Sequence, residues 1–109
     1  MSDLVVILTT MPADDRAVGL ARTLVAERLA ACVNVHTPMV SIYRWQTVLE
    51  EEPERQLVIK TTRDRVEQVR ARLRDLHPYE LPEWIVLPAV EASAEYAGWV
   101  RAETAVPGT

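Results

Sequence analysis

"QLVIKTTRDRVEQVRARLRDLHPYELPEWIVLPAV", residues 56–90, contains in order a strand pattern, a helix pattern, a proline-bounded bend and a second strand pattern. Residues 56–61 are a short apolar run of the kind that forms a strand. In residues 62–76, apolar side chains recur on one helical face, and five arginines lie largely on another. Residues 82–90 predict a further strand, which Pro88 bends or ends. The whole segment therefore predicts a β-α-β unit.

The beginning of the chain predicts another strand followed by another helix. Residues 4–8, LVVIL, are a β-branched apolar run that favours a strand buried on both faces. We expect Met11 and Pro12 to break this strand. Residues 13–31 have apolar side chains at helical spacing, and Asp14 is the expected N-cap.

The region between these two units predicts a long hairpin. Residues 32–46 are rich in β-forming residues, and Pro38, which cannot donate a ladder hydrogen bond, marks an edge or a bulge. Residues 49–55, LEEEPER, have the composition of a turn. We therefore expect residues 32–46 to pair with residues 56–61 across that turn.

A short helix over residues 93–104, with Ser93 as its N-cap, precedes a tail that we expect to be frayed. The resulting order is β-α-β-β-α-β with an extra C-terminal helix. That order predicts an α+β chain with a ferredoxin-like sandwich fold, forming a single domain over residues 1–109.

The composition narrows the classes of partner and the cellular compartment. The net charge of −4 argues against nucleic acid, because neutralising phosphates requires a basic surface. No stretch of about 18 apolar residues exists, so we expect no membrane span. The one cysteine, Cys32, allows no intrachain disulfide and favours a reducing compartment. Since the first ten residues have the pattern of a strand rather than of a signal peptide, we expect a cytoplasmic protein.

The familiar sequence motifs of enzymes are missing from the chain. It has no GxxxxGK[ST], GxGxxG, HExxH, CxxC or GxSxG motif. With only three glycines, it also has no Gly-rich loop to cradle a phosphate group. We therefore expect a protein that is not an enzyme.

The bend over residues 76–84, LHPYELPEW, has two interpretations. Pro78 disfavours helical backbone at His77, so the bend can serve as a rigid joint between helix and strand. Alternatively, His77, Tyr79 and Glu80 line a cleft, and the imidazole is a metal ligand. One histidine and one glutamate do not complete a coordination shell, so further ligands would have to come from another chain or from water.

Three other features also have a structural and a functional interpretation. Cys32 is either a buried, inert side chain or a ligand for a soft metal. The four glutamates within residues 50–54 are either a solvated turn or a site for a hard cation. Tyr43 and Trp45 lie on one face of a strand, where they either pack within their own subunit or form an interface.

Six segments, taken in this order and at these spacings, resemble the CutA family of divalent-cation tolerance proteins. They are ERLAACVNV (27–35), SIYRW (41–45), LVIKTT (57–62), LHPYELPE (76–83), WIVLPA (84–89) and EYAGWV (95–100). The resemblance implies a ferredoxin-like homotrimer in which the projecting hairpin of one subunit completes a neighbour's sheet. It also implies clefts between subunits and a function in the tolerance of copper and other divalent metals.

This resemblance leads to our main functional expectation, a non-enzymatic homotrimer that binds or buffers divalent metal, copper first. Its cleft would involve His77, Tyr79 and Glu80, with Cys32 as an additional soft ligand. The interface would include the aromatic pair of the hairpin.

The alternative is a trimeric sensor similar to the PII signalling proteins, which would bind a small anionic ligand between subunits. Lys60 and Arg63, near the end of the third predicted strand, would then supply the counter-charges. The chain departs from the family at three positions. It has Thr9 and Leu76 where some copper-linked relatives have a cysteine and a second histidine, and Thr47 where the hairpin turn usually has glycine.

Overall fold

The structure, a computed structural model, describes residues 3–106. Its elements are β1 (Leu4–Pro12), α1 (Arg16–Ala26), β2 (Cys32–Val35), β3 (Met39–Trp45), β4 (Val48–Thr62), a 3₁₀ turn (Arg63–Arg65), α2 (Val66–Leu76), β5 (Ile85–Pro88) and α3 (Ala94–Glu103). The predicted ferredoxin-like order is confirmed, with the second predicted strand divided into β2 and β3. Among the described residues, no helix has both the length and the apolar character needed to cross a bilayer.

The sheet is antiparallel and is organised by the long strand β4. β1 lies between β4 and β5. β2 pairs with the edge of β4 that faces away from β1, which gives the order β2-β4-β1-β5. β3 pairs with the first half of β4, from Val48 to Glu54. Because β1 pairs with β4 only from Glu54 to Thr62, the β3–β4 hairpin projects beyond the rest of the sheet. A long hairpin is therefore confirmed, although of residues 32–46 only β2 pairs with the predicted segment 56–61, and β3 pairs with residues 48–54 instead.

The acidic residues 49–55 lie within the strand β4, so the prediction that they form a turn is wrong. The reversal of the chain occurs at Gln46 and Thr47, whose φ angles are 48° and 69°. Positive φ at both central residues is typical of the two-residue turns that match the twist of a hairpin. Pro53 fits within β4 because this part of the strand has a partner, β3, on one side only.

Two other predicted strand boundaries are corrected by the structure. β1 does not break at Met11 but continues to Pro12, which pairs with Glu54 at the end of the ladder. The last strand begins only at Ile85, because residues 82–84 belong to the bend that precedes it.

The main core lies between one face of the sheet and the helices α1 and α2. Its buried residues are Val5, Ile7, Met11, Ala17, Leu20, Leu24, Ala30, Leu57, Ile59, Val69 and Leu73. On the opposite face, α3 covers one end of the sheet by packing Ala97 and Val100 against Leu4. Val6 and Leu8 on that face remain half-buried, so the prediction of a strand buried on both faces is met on one face only.

The helix ends follow local sequence rules. Ser93 is confirmed as the N-cap of α3, because its hydroxyl accepts the Tyr96 N–H at 3.2 Å. At the start of α1 the N-cap position is Asp15, whose side chain makes no capping hydrogen bond, so the prediction of Asp14 as the N-cap is wrong. The Asp14 carboxylate, one residue earlier, accepts the Arg16 N–H at 3.0 Å.

Two arginines hold the other end of α3. The buried Arg65 donates through Nε to the Thr104 carbonyl at 2.8 Å, and Arg28 donates to the carbonyls of Ala102 and Ala105. They satisfy carbonyls that have no partner within the helix, and their charge complements its negative end.

Candidate functional site

The connector, residues 77–84, joins α2 to β5 and turns where the sequence predicts. α2 ends at Leu76, and His77 takes an extended backbone conformation, with φ −80° and ψ 129°. Pro78 requires such a conformation of the residue that precedes it. The N–H of His77 still donates to the Leu73 carbonyl at 2.7 Å, so the last helical turn is closed before the chain leaves it.

The His77 ring ties this connector to β1. Its Nε2 lies 2.7 Å from the Thr10 carbonyl oxygen, and because a carbonyl only accepts, Nε2 carries the proton. Its Nδ1 accepts the Tyr79 N–H at 3.2 Å. Burial lowers the pKa of His77, opposed in part by the Thr10 hydrogen bond and the charge of Glu54. The neutral ring therefore uses both nitrogens within the chain and acts as a joint.

Glu54 is the buried carboxylate of this region, and the sequence analysis named it only as one of four glutamates in the acidic run. It is 9% exposed and lies near the Tyr79 hydroxyl. Burial, followed by hydrogen bonding to the Glu54 carboxylate and by its charge, raises the pKa of Tyr79 well above its usual value. The Tyr79 ring also packs against His77, with ring centroids 4.9 Å apart. A chain of contacts thus links β4, the connector and β1.

A groove of about 720 Å³ opens beside this cluster, between the hairpin and the connector. Its lining residues are Thr10, Tyr43, Trp45, Glu54, Pro78, Tyr79, Glu80, Leu81, Pro82, Glu83, Trp84 and Ile85. Four of them are aromatic and three are glutamates. Within the described chain, no Lys, Arg or His side chain lines this groove. Its size is that of sites that hold small molecules.

The two hairpin aromatics form one wall of the groove. Tyr43 is 41% exposed and Trp45 is 37% exposed, and they lie on the same face of β3. They therefore do not pack into the core of their own chain. Whether a neighbouring subunit covers them remains the prediction made from the sequence.

The structure does not gather the three predicted metal ligands. Glu80 lines the groove and His77 lies behind Tyr79, whereas Cys32 lies on β2 opposite Lys60. Because Lys60 pairs with Val6 on β1, Cys32 is offset from the His77 contact at Thr10 by four residues, roughly 13 Å of strand. Within residues 3–106, no three or more His, Cys, Asp or Glu side chains are placed to hold a metal.

The two predicted counter-charges for an anion lie elsewhere. The Lys60 ammonium is hydrogen-bonded to the side-chain oxygen of Asn34, and Arg63 is exposed at the start of the 3₁₀ turn. Neither lines the groove. The geometry thus offers no support for the alternative of an anion sensor.

One sequence signal would have located Glu54. In a strand, alternate residues share a face, so Glu50, Glu52 and Glu54 point to the side of Tyr43. That alternation becomes visible only when the strand that ends at Thr62 is extended backwards through Pro53. The proline and the run of charge conceal it.

Comparison with known proteins is consistent with this architecture. The family described as CutA1 divalent ion tolerance protein matches residues 5–103. The divalent-cation tolerance protein CutA of Thermus thermophilus is 43% identical over 99 residues, covering 91% of this chain and 96% of that protein. The CutA of Escherichia coli O139:H28 is 38% identical over 98 residues, covering 90% and 88%.

Solved structures agree with the sequence matches. CutA from Xylella fastidiosa superposes with a TM-score of 0.92 at 42% identity, covering 95% of this chain and all of that chain, 100%. CutA1 from Ehrlichia chaffeensis superposes with a TM-score of 0.90 at 27% identity, covering 97% and 99%. The PII-like alternative receives no support from these matches. This chain belongs to the CutA1 divalent ion tolerance protein family.

Proposed function

We propose that this chain acts as a cytoplasmic, non-enzymatic homotrimer that binds divalent metal ions, with copper as the first candidate. The family's description names ion tolerance rather than a reaction, which supports a binding function. The observation that supports the metal proposal is the acidic lining of the groove, which includes Glu54, Glu80 and Glu83. Within the described residues these carboxylates are not gathered into a metal site, so the proposal needs further ligands from outside the chain. Carboxylate oxygens attract divalent cations, and no basic side chain of the described residues lines the groove to oppose them.

Copper is favoured over calcium if His77 becomes a ligand, because imidazole suits copper, nickel and zinc. Nδ1 is the nitrogen that can bind, since Nε2 is protonated and donates to Thr10. Binding would therefore replace the hydrogen bond from the Tyr79 N–H and would move the connector. A neighbouring subunit or water would supply the remaining ligands.

Exposed apolar surface supports the homotrimer. On the face of the sheet that α3 leaves open, Ile85 and Leu87 are 44% and 45% exposed. On the projecting hairpin, Val40 and Ile42 are 68% and 62% exposed. Exposed apolar side chains of this kind mark interfaces, and a chain of this size gains stability by assembling. A reducing cytoplasm agrees with the free, half-buried thiol of Cys32.

Calorimetry of copper into the assembled protein tests this function. His77→Gln should weaken binding about tenfold or more, whereas His36→Gln, the same change on an exposed loop, should leave it unchanged. Wild-type binding should also weaken between pH of about 7.5 and about 5.5, either side of the usual imidazole pKa. Light scattering should give three times the 12.3 kDa chain mass for all three proteins.

Equal copper affinity for wild type and both variants would leave His77 as a joint and remove it as a ligand. Calcium that binds as tightly as copper would show that the carboxylates act without the imidazole. A chain that stays monomeric at micromolar concentration would contradict the assembly.

A further inference from the structure

The part of the chain that the structure describes leaves two aromatic side chains of α3 exposed. They are Tyr96 and Trp99, whose ring centroids lie 5.7 Å apart. Three of the ten residues of α3 are charged, and the others are apolar or glycine. The chain itself buries only Ala97 and Val100 of this helix. Because a helix that is apolar on most of its surface is typical of a buried position, we expect a larger part of α3 to be covered.

The aromatic pair borders a row of side chains that crosses the sheet on the same face. In strand order this row consists of Cys32, Lys60, Val6 and Leu87. α3 packs on Leu4, which precedes the row on that face of β1. Burial raises the pKa of Tyr96, and the charge of the Cys32 thiolate adds to this effect, so the Tyr96 hydroxyl lies near that thiol. The aromatic pair and the exposed Leu87 are therefore on one side of the subunit.

Arg28 holds α3 from a strained backbone conformation. The hydrogen bonds that close α1 follow the Schellman motif, with Arg28 at the position that is usually glycine. Its φ of 60° lies in the left-handed region, where a side chain with a Cβ atom is strained. From there the guanidinium donates to the carbonyls of Ala102 and Ala105, at 2.9 and 3.2 Å. One residue thus ends α1 and fixes the far end of α3.

We propose that the aromatic pair of α3 is a contact surface for a second copy of this chain, and that Arg28 positions α3 for this contact. The inference rests on the proposed homotrimer and adds to it a surface and a positioning residue. A second copy is the partner because the pair lies on the same side of the sheet as the exposed Ile85 and Leu87, so one neighbouring subunit can cover both. Aromatic rings that become buried in this way anchor an assembly.

Trp99→Ala tests the surface without disturbing the core, because Trp99 belongs to neither buried cluster of the described residues. In dilution light scattering it should raise the dissociation constant about tenfold or more, the effect of losing a large aromatic anchor. The control is Val25→Ala. Val25 is exposed to a similar extent on α1, which covers the opposite face of the sheet, so this change should leave the dissociation constant unaltered.

The one cysteine of the chain measures independently whether this face is covered. Cys32 is half-buried in the single subunit and lies beside Tyr96. In the assembled wild type it should react with iodoacetamide more slowly than in Trp99→Ala at a concentration where that variant has dissociated. Equal rates would show that no subunit covers the face, and would overturn the proposal.

Two substitutions of Arg28 separate its hydrogen bonds from its backbone strain. Arg28→Met removes the hydrogen bonds to α3 and keeps the strain, whereas Arg28→Gly removes the hydrogen bonds and relieves the strain. Both should raise the dissociation constant about threefold or more, since each loses the two donors that hold α3. If Arg28→Gly assembles as tightly as the wild type, Arg28 does not position α3 for the contact.

The mass of the wild type distinguishes failure of this inference from failure of the homotrimer. A wild type that is monomeric at micromolar concentration removes both. A trimer that Trp99→Ala does not weaken, or that Val25→Ala weakens equally, removes the α3 contact alone and leaves the homotrimer in place.

Discussion

Replacing Thr47 with glycine should stabilise the protein, because Thr47 holds a backbone conformation that suits glycine. Its φ of 69°, like the 48° of Gln46, lies in the left-handed region, where a β-branched side chain is strained. The turn needs positive φ at both positions to join Trp45 and Val48, which pair directly across the hairpin. Thr47 itself is exposed, so the substitution removes no core packing.

The magnitude follows from two opposing effects. Relief of the left-handed conformation stabilises the folded state by about 1–2 kcal/mol. The greater freedom of glycine in the unfolded chain offsets about 0.5–1 kcal/mol of this. The net gain is about 0.5–1 kcal/mol, which for a chain of this length raises the Tm by roughly 2–4 °C.

Thermal unfolding at one fixed protein concentration measures the effect, since assembly makes the Tm depend on concentration. The matched control is Thr37→Gly, in the exposed loop between β2 and β3, where φ is not positive. That control should lower the free energy of unfolding by about 0.5–1 kcal/mol. If both variants shift the Tm in the same direction, the strain assigned to the turn is refuted.

Three further predictions concern the joint, the last helix and the assembly. Because folding lowers the pKa of His77, the unfolded chain takes up the proton first as the pH falls, and the free energy of unfolding should decrease below a pH of about 6.5. Denaturant midpoints measured as the pH is lowered through this value should fall less for His77→Gln than for the wild type. Arg65→Met leaves the Thr104 carbonyl without its buried donor and should lower the free energy of unfolding by about 1.5–3 kcal/mol. The control Arg72→Met removes a partly exposed ion pair and should lower the free energy of unfolding, in the same assay, by less than about 1 kcal/mol. Trp45→Ala should favour dissociation of the trimer in dilution light scattering, and an unchanged mass at all concentrations would contradict its interface role.

The sequence by itself determined the order of elements and the ends of several of them. Apolar spacing distinguishes the strands from the helices, because periods of 2 and 3.6 place side chains on different faces. Ser93 caps α3, and the helix before Pro78 ends at Leu76, because both effects act within a few residues of the chain. The fold could therefore be predicted from local rules and from the resemblance.

Only the tertiary structure decided what the site contains. The acidic run resembles a loop until β3 pairs with it, and Glu54 becomes buried where β4 lies between Pro12 of β1 and Met39 of β3. In the same way, the pattern that suggests His77 as a ligand cannot show that Thr10 and the Tyr79 N–H occupy its two nitrogens. These contacts join residues that are far apart in the chain. Strand register and the packing of the connector create them, and neither leaves a local trace in composition or spacing.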